Sequence, residues 1–318
     1  MERQRGCNLF KFDQRQGSGT ARRTGSIKKS YYTYQRLPQR NQQHQASMAD
    51  ADYAGGAGVD TMVWSRPEMN GTAPCSRGGH TAILADTQLV IFGGHYYGGS
   101  EGGFMYLNDV HVLDVETSTW HDVRCAGDPP PPRYGHTATL VDRRMFVFGG
   151  RGKNGALMKD MYLLDLNEWC WVKVTPTTAA PNPRFDHADV LVGNKICVFG
   201  GWDGKKCFND LWVFDTEAFT WMKPKTAGTA PSPRHSVKMQ LLEDGRIIVF
   251  GGHSTANMQE NLKQTYQSDC RSLDTETMIW CVPSLAFSRC SRMHSNVALF
   301  FGACVPLPCS QVKASGAR

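Results

Sequence analysis

The sequence predicts an all-β protein built from radially repeated four-stranded sheets, and three observations carry that prediction. Glycine doublets preceded by apolar runs recur down the chain. Aspartates, tryptophans and arginines keep nearly fixed distances from them. The 32 glycines and 16 prolines show no collagen period, which suits many short strands joined by tight turns.

The doublets are Gly93-Gly94, Gly149-Gly150, Gly200-Gly201 and Gly251-Gly252, and their second glycines lie 56, 51 and 51 residues apart. Fifty-one residues on comes a degraded copy, Phe301-Gly302-Ala303. Asp109, Asp160, Asp210 and Asp269 are each followed five residues later by a second aspartate and eleven residues later by Trp120, Trp171, Trp221 and Trp280. Thirteen residues beyond three of these tryptophans stand Arg133, Arg184 and Arg234, with Arg292 at twelve. The same thirteen-residue step from Trp64 to Arg77 recruits Trp64 as a core residue.

Each unit reads as four strands. In the second unit they are A at 137–141, B at 144–148, C at 160–164 and D at 171–174. Met145-Phe146-Val147-Phe148 lacks polar alternation, as in a strand buried on both faces between stacked sheets. Asp142-Arg143, Gly193-Asn194 and Asp244-Gly245 make the A to B connections tight hairpins. A sheet buried on both faces needs neighbours, and radial repetition supplies them.

The double glycine, the Asp-x(4)-Asp-x(5)-Trp tail and the Pro-Arg-x-x-His opening resemble the kelch repeat over residues 61–303. The resemblance implies a kelch-type β-propeller of four complete four-stranded blades plus partial terminal blades. A leading D strand at Trp64 and A and B strands at 295–301 leave two arrangements open: an irregular five-bladed ring, or a piece of a ring of six or seven, which the exposed edges of an open ring favour. The expected organisation is a disordered basic tail at 1–58, the propeller at 59–303 and an irregular segment at 304–318.

Charge is uneven. Residues 1–47 hold ten Lys or Arg against two acids, so the chain's +6 becomes +8 in the tail and −2 elsewhere. Nucleic-acid binding would rest on that tail, where Tyr31, Tyr32 and Tyr34 interleave with Lys28, Lys29 and Arg36; disorder or a start at Met48 is the plainer reading. No stretch reaches the roughly 18 apolar residues of a membrane span. Eleven scattered cysteines without a C-x-x-C pair read as reduced thiols of a cytoplasmic or nuclear protein.

Positions repeated in every blade read as structural: the glycine doublets as backbone that a Cβ would block, the tryptophans as packing between blades, and the arginines and histidines as ties from loop backbone to the neighbouring blade. Function is expected where copies differ. The B to C and D to A connections share one face, and the long B to C loops at 95–108 and 253–268 decorate it. Tyr96, Tyr97, Phe104, Tyr106, Trp202, His253 and Tyr266, with Arg151, Lys153 and Lys263, are the candidate partner-binding residues, suited to a protein partner with an acidic segment. No metal or cofactor is expected. The alternative is a metal-dependent lyase or oxidase, since some proteins that resemble kelch propellers are copper oxidases or iron-dependent specifier proteins. The Glu-x-x-x-Asp-x-x-x-His spacing of the latter does not occur in this sequence.

Overall fold

The computed structural model describes residues 66–255 and 264–283, and the account that follows concerns the unit beginning at Pro67. The expected boundaries at 58/59 and 303/304, Trp64, Lys263 and the A and B strands of a fifth unit lie outside the described residues. Four blade sheets and a separate two-stranded ribbon are present among them. Blade 1 contains β1 (Thr81–Ala85), β2 (Gln88–Tyr97), β3 (Phe104–Asp114) and β4 (Thr119–Asp122). After β5 (Ala126–Gly127), blade 2 follows with β6 (Thr137–Val141), β7 (Arg144–Phe148), β8 (Met161–Asp165) and β9 (Cys170–Val174). Blade 3 holds β10 (Ala188–Val192), β11 (Lys195–Phe199), β12 (Leu211–Asp215) and β13 (Thr220–Met222). After β14 (Ala227–Gly228) come β15 (Lys238–Leu241) and β16 (Arg246–Phe250) of blade 4, a ribbon of β17 (His253–Thr255) with β18 (Gln264–Tyr266), and then β19 (Cys270–Asp274) and β20 (Ile279–Cys281).

Each blade is an antiparallel meander in chain order. Strands β1, β6, β10 and β15 lie side by side, so the sheets radiate from a shared inner edge. Between successive blades sit three apolar clusters. The repeated tryptophans belong to them: Trp171 packs on Phe92, Trp221 on Phe148 and Trp280 on Phe199, each on the preceding blade, with ring centroids 4.8–5.5 Å apart. Among the described residues no helix is long and apolar enough to cross a membrane.

The clamp that fixes each blade is an arginine. Arg133, Arg184 and Arg234 are fully buried, at 0% exposure. The Arg184 guanidinium donates to both Asp210 carboxylate oxygens, at 2.7 and 3.1 Å, and to the Gly200 carbonyl at 2.9 Å, while Nε donates to the Asn182 carbonyl. Arg133 does the same with Asp160 and Gly149, Arg234 with Asp269 and Gly251, and Arg77 with Asp109 and Gly93. These partners belong to the arginine's own blade, which corrects the expectation of a tie to the neighbour. The backbone of the same residue makes that tie: the Arg184 carbonyl accepts from Gly150 N–H, and its N–H donates to the Met158 carbonyl, both in the preceding blade. Burial pushes the carboxyls of Asp109, Asp210 and Asp269 up, but the arginine hydrogen bonds and charge outweigh it, and all three ionise below the usual carboxylate range.

The histidines do bridge blades, through hydroxyls as well as toward the backbone of Phe92 and Phe148 in the preceding blade. His136 Nε2 lies 3.0 Å from Thr81 Oγ1 and His187 Nε2 3.0 Å from Thr137 Oγ1; blade 4 has buried Val237 at this position. The second aspartate of each repeat closes the C to D turn, as when Asp215 Oδ1 accepts from the N–H groups of Glu217 and Ala218.

Two features depart from the four-strand reading. The residues at 95–108 are mostly not a loop: β2 and β3 run past the blade through a bulge between Phe92 and Gly94 and stay paired to Tyr97 and Phe104, around one helical turn at Gly99–Gly102. A fifth edge strand was also missed. β5 pairs in parallel with β9, and β14 with β20. Asn70 makes the equivalent bridge to Thr119. In blade 3 the Thr178 hydroxyl takes this role, donating to the Trp221 carbonyl and accepting from its N–H. The segment capping each outermost strand precedes that blade in the chain, so consecutive blades interlock and the outer edge is covered. Cys75, Cys125, Cys197 and Cys270 carry free thiols; Cys170 is disulfide-bonded and departs from the reduced reading.

Removing the buried guanidinium strands a carboxylate and several carbonyls, so we expect Arg184→Ala to cost about 3–5 kcal/mol in urea denaturation. Gly127 has φ +76, and a Cβ there would collide with the Trp171 carbonyl oxygen, whereas Gly193 has φ +61 with open space around it. Gly193→Ala should cost only the left-handed conformation, about 1–2 kcal/mol. Gly127→Ala should cost clearly more; equal losses would show that the fifth strand is not held in place.

Candidate partner-binding face

The antiparallel register puts the start of A, the end of B and the start of C at one end of each blade, as where Thr137 pairs with Phe148 and Phe148 with Met161. At that end the residue after each clamp arginine forms a backbone bridge with the residue after the glycine doublet. The pairs are Gly78 with His95, Tyr134 with Arg151, Phe185 with Trp202, and His235 with His253. Beside them a string of hydrogen bonds runs from blade to blade, Gly135 N–H to Gly79 carbonyl, Asp186 N–H to Gly135 carbonyl and Ser236 N–H to Asp186 carbonyl, at 2.7–2.9 Å. The backbone here is fixed by the repeat and the side chains are free to vary.

Those side chains join into a continuous aromatic belt across four blades. From Tyr97 the ring contacts run to Phe104 (5.4 Å), His95 (5.5 Å), Tyr134 (4.6 Å), Phe185 (5.8 Å) and Trp202 (5.4 Å). They continue to His235 (stacked, 5.6 Å), His253 (3.9 Å) and Tyr266 (5.5 Å). Tyr106 joins beside His95 and Tyr134. Arg151 lies over the Phe185 ring at 5.4 Å.

Of the residues expected from the sequence, Tyr97, Phe104, Tyr106, Arg151, Trp202, His253 and Tyr266 therefore come together. Tyr97 and Phe104 are 62% and 60% exposed and meet in tilted contact as a cross-strand pair. Tyr96 pairs with Met105 and takes the other face of that ribbon by strand alternation. Lys153 sits exposed in a 3-10 turn beside the belt. Trp202 is held between Phe185 and His235 with its indole N–H enclosed, so it packs as well as presents a surface. Tyr134, Phe185 and His235 were not singled out from the sequence, and His95 stood out only as the start of the 95–108 loop and as a weak metal candidate. Their signal was available: they are variable positions locked next to invariant ones.

Electrostatics keep the belt apolar. Burial, with His253 nearby, pushes His235 down to about 4, and burial lowers His95 and His253, so the imidazoles are neutral at neutral pH. Burial raises the Asp186 carboxyl to about 6 against the opposing charges of Lys238 and Arg151. Asp186 and Ser236 both approach Nδ1 of His235, at 3.9 and 3.2 Å; a nucleophile relay needs them on opposite ring nitrogens. Among the described residues no three His, Cys, Asp or Glu side chains are grouped to hold a metal ion.

His136 is pushed down to about 3 and His187 well below its usual value, chiefly by burial and then by the clamp arginines. Between their unfolded value of about 6.5 and these folded values the unfolded chain binds protons that the folded chain refuses. Stability from His136, His187 and His235 is thus complete above pH 6.5 and lost as pH falls. Asp186, raised in the fold, acts oppositely below pH 6. His80, His95 and His253 are lowered in the same sense and Asp189 is raised like Asp186, so the imidazoles outnumber the opposing carboxyls and stability falls as pH drops below 6.5. Urea midpoints at pH 7, 6 and 5 measure this slope, and His187→Gln should flatten it.

Residues 96–304 match the KLHDC2/KLHL20/DRC7 Kelch-repeats domain. Kelch domain-containing protein 3 of Homo sapiens is 32% identical over 206 residues, covering 62% of this chain and 53% of that protein. Acyl-CoA-binding domain-containing protein 5 of Arabidopsis thaliana is 38% identical over 143 residues, 45% of this chain and 21% of the relative. Dynein regulatory complex subunit 7 of Chlamydomonas reinhardtii is 33% identical over 145 residues, 45% of this chain and 11% of the relative. The chain thus spans about half the length of the first and much less of the others. The solved structure of YjhT has a similar fold, with TM-score 0.54 at 18% identity over 65% of this chain and 70% of that one.

Proposed function

The chain belongs to the kelch-repeat family, and from that premise we propose that it is a non-enzymatic protein-interaction scaffold whose partner docks on the face carrying the aromatic belt. The observation that supports this is the division of labour between positions. Repeated residues are consumed in clamps, turns and interblade packing, while the residues between them, unlike from blade to blade, form one connected aromatic surface of the kind that anchors interfaces. Similarity to a subunit of a dynein regulatory complex is in keeping with a role in a larger assembly. The free thiols of Cys75, Cys125, Cys197 and Cys270 suit the cytoplasm or nucleus, with Cys170 the exception.

Affinity capture from cell extract, followed by titration of the recovered partner, tests the reading. Tyr97→Ala with Phe104→Ala should weaken binding at least about tenfold, roughly 1.4 kcal/mol, with little change in melting temperature because both rings are exposed. Glu116→Ala with Glu217→Ala, in the C to D turns of the opposite face, should leave binding intact. The reverse pattern would move the docking site to that face. Metal analysis of the purified protein tests the lyase or oxidase alternative.

A further inference from the structure

Resting on the proposed docking face, we infer that the partner segment is extended, with an apolar anchor residue at one end and acidic residues about four to seven positions away. The anchor site is the ribbon of β2 and β3, where the Tyr97 and Phe104 rings touch at a tilt and remain exposed. It stands on blade 1. The cationic residues stand further along the belt, with Arg151 and exposed Lys153 on blade 2 and exposed Lys205 and Lys206 on blade 3.

Their charge is not cancelled by the carboxylates of the repeat. Asp109, Asp160, Asp210 and Asp269 are each paired with a clamp arginine. Asp203 closes its own turn by accepting from the N–H groups of Lys205 and Lys206. Asp186 faces the opposing charges of Lys238 and Arg151, so with Asp203 two carboxylates stand against Arg151, Lys153, Lys205, Lys206 and Lys238, and positive charge remains in surplus. What the middle of the face offers a ligand is positive charge beside aromatic rings, and an acidic segment complements it.

Ring contacts set the spacing. Phe104 to Phe185, under Arg151, is three contacts of 4.6–5.8 Å, and Trp202, in the turn that carries Lys205 and Lys206, is one more of 5.4 Å. The path is thus at most about 16 Å to the ring under Arg151 and about 21 Å to Trp202. An extended chain covers roughly 3.3 Å per residue, which places acidic side chains about four to seven residues from the anchor.

The test uses fluorescence anisotropy with the full chain and labelled synthetic ten-residue peptides. One carries tryptophan at one end and glutamates at the fourth to seventh positions after it, with glycine and serine elsewhere. A second has the same composition with the glutamates directly beside the tryptophan. Both are also made in reversed order, since the face does not fix chain direction. The spaced peptide in one direction should bind at least about tenfold more tightly than its adjacent counterpart. Tyr97→Ala with Phe104→Ala should remove that advantage, and Lys205→Glu with Lys206→Glu should weaken the spaced peptide most. Equal affinity of spaced and adjacent peptides, or binding of none, overturns the inference. If the captured partner still loses affinity to the Tyr97 and Phe104 substitutions in that case, the docking face stands and only the partner pattern falls.

Discussion

The buried arginine is the constraint on which the architecture depends. Its guanidinium gathers the first aspartate and first doublet glycine of its own blade, while its backbone hydrogen-bonds to the blade before. One residue thereby sets both the internal geometry of a sheet and the spacing between sheets. A fully buried guanidinium is tolerable only because its donors find anionic or carbonyl oxygen. That requirement accounts for the recurrence of an aspartate after every doublet: it meets the arginine in space, and the intervening chain length is free to change.

That freedom separates scaffold from surface. The interval from doublet to aspartate holds a tight turn in blades 2 and 3, a long ribbon in blade 1 and the ribbon of β17 and β18 in blade 4. None of these insertions disturbs the clamp. The belt grows from residues immediately next to it, so varied side chains are presented on a backbone that barely varies.

Much of this was legible in the sequence, because the clamp, the turn-closing aspartates and the interblade tryptophans all leave residues at fixed intervals. The binding face was legible in part: Tyr97, Phe104 and Trp202 stand out by type in unrepeated positions, but Tyr134 and Phe185 are hidden between conserved-looking neighbours within one repeat. Long-range partners were not legible. Nothing local says that Arg184 reaches Asp210 of its own blade rather than an oxygen next door. The fifth strand escaped for another reason: Ala126-Gly127 and Ala227-Gly228 are too short for any period to show, and their partners lie more than forty residues away.

Those short edge strands have a consequence for the chain as it is made. β5 precedes β9, and β14 precedes β20, so the cap of each outer strand leaves the ribosome before the strand it covers. A newly synthesised blade completes its sheet against a segment already waiting for it, and its open edge never depends on sequence still to come. The order of translation thus guards the assembly against the edge-to-edge association that exposed strands invite.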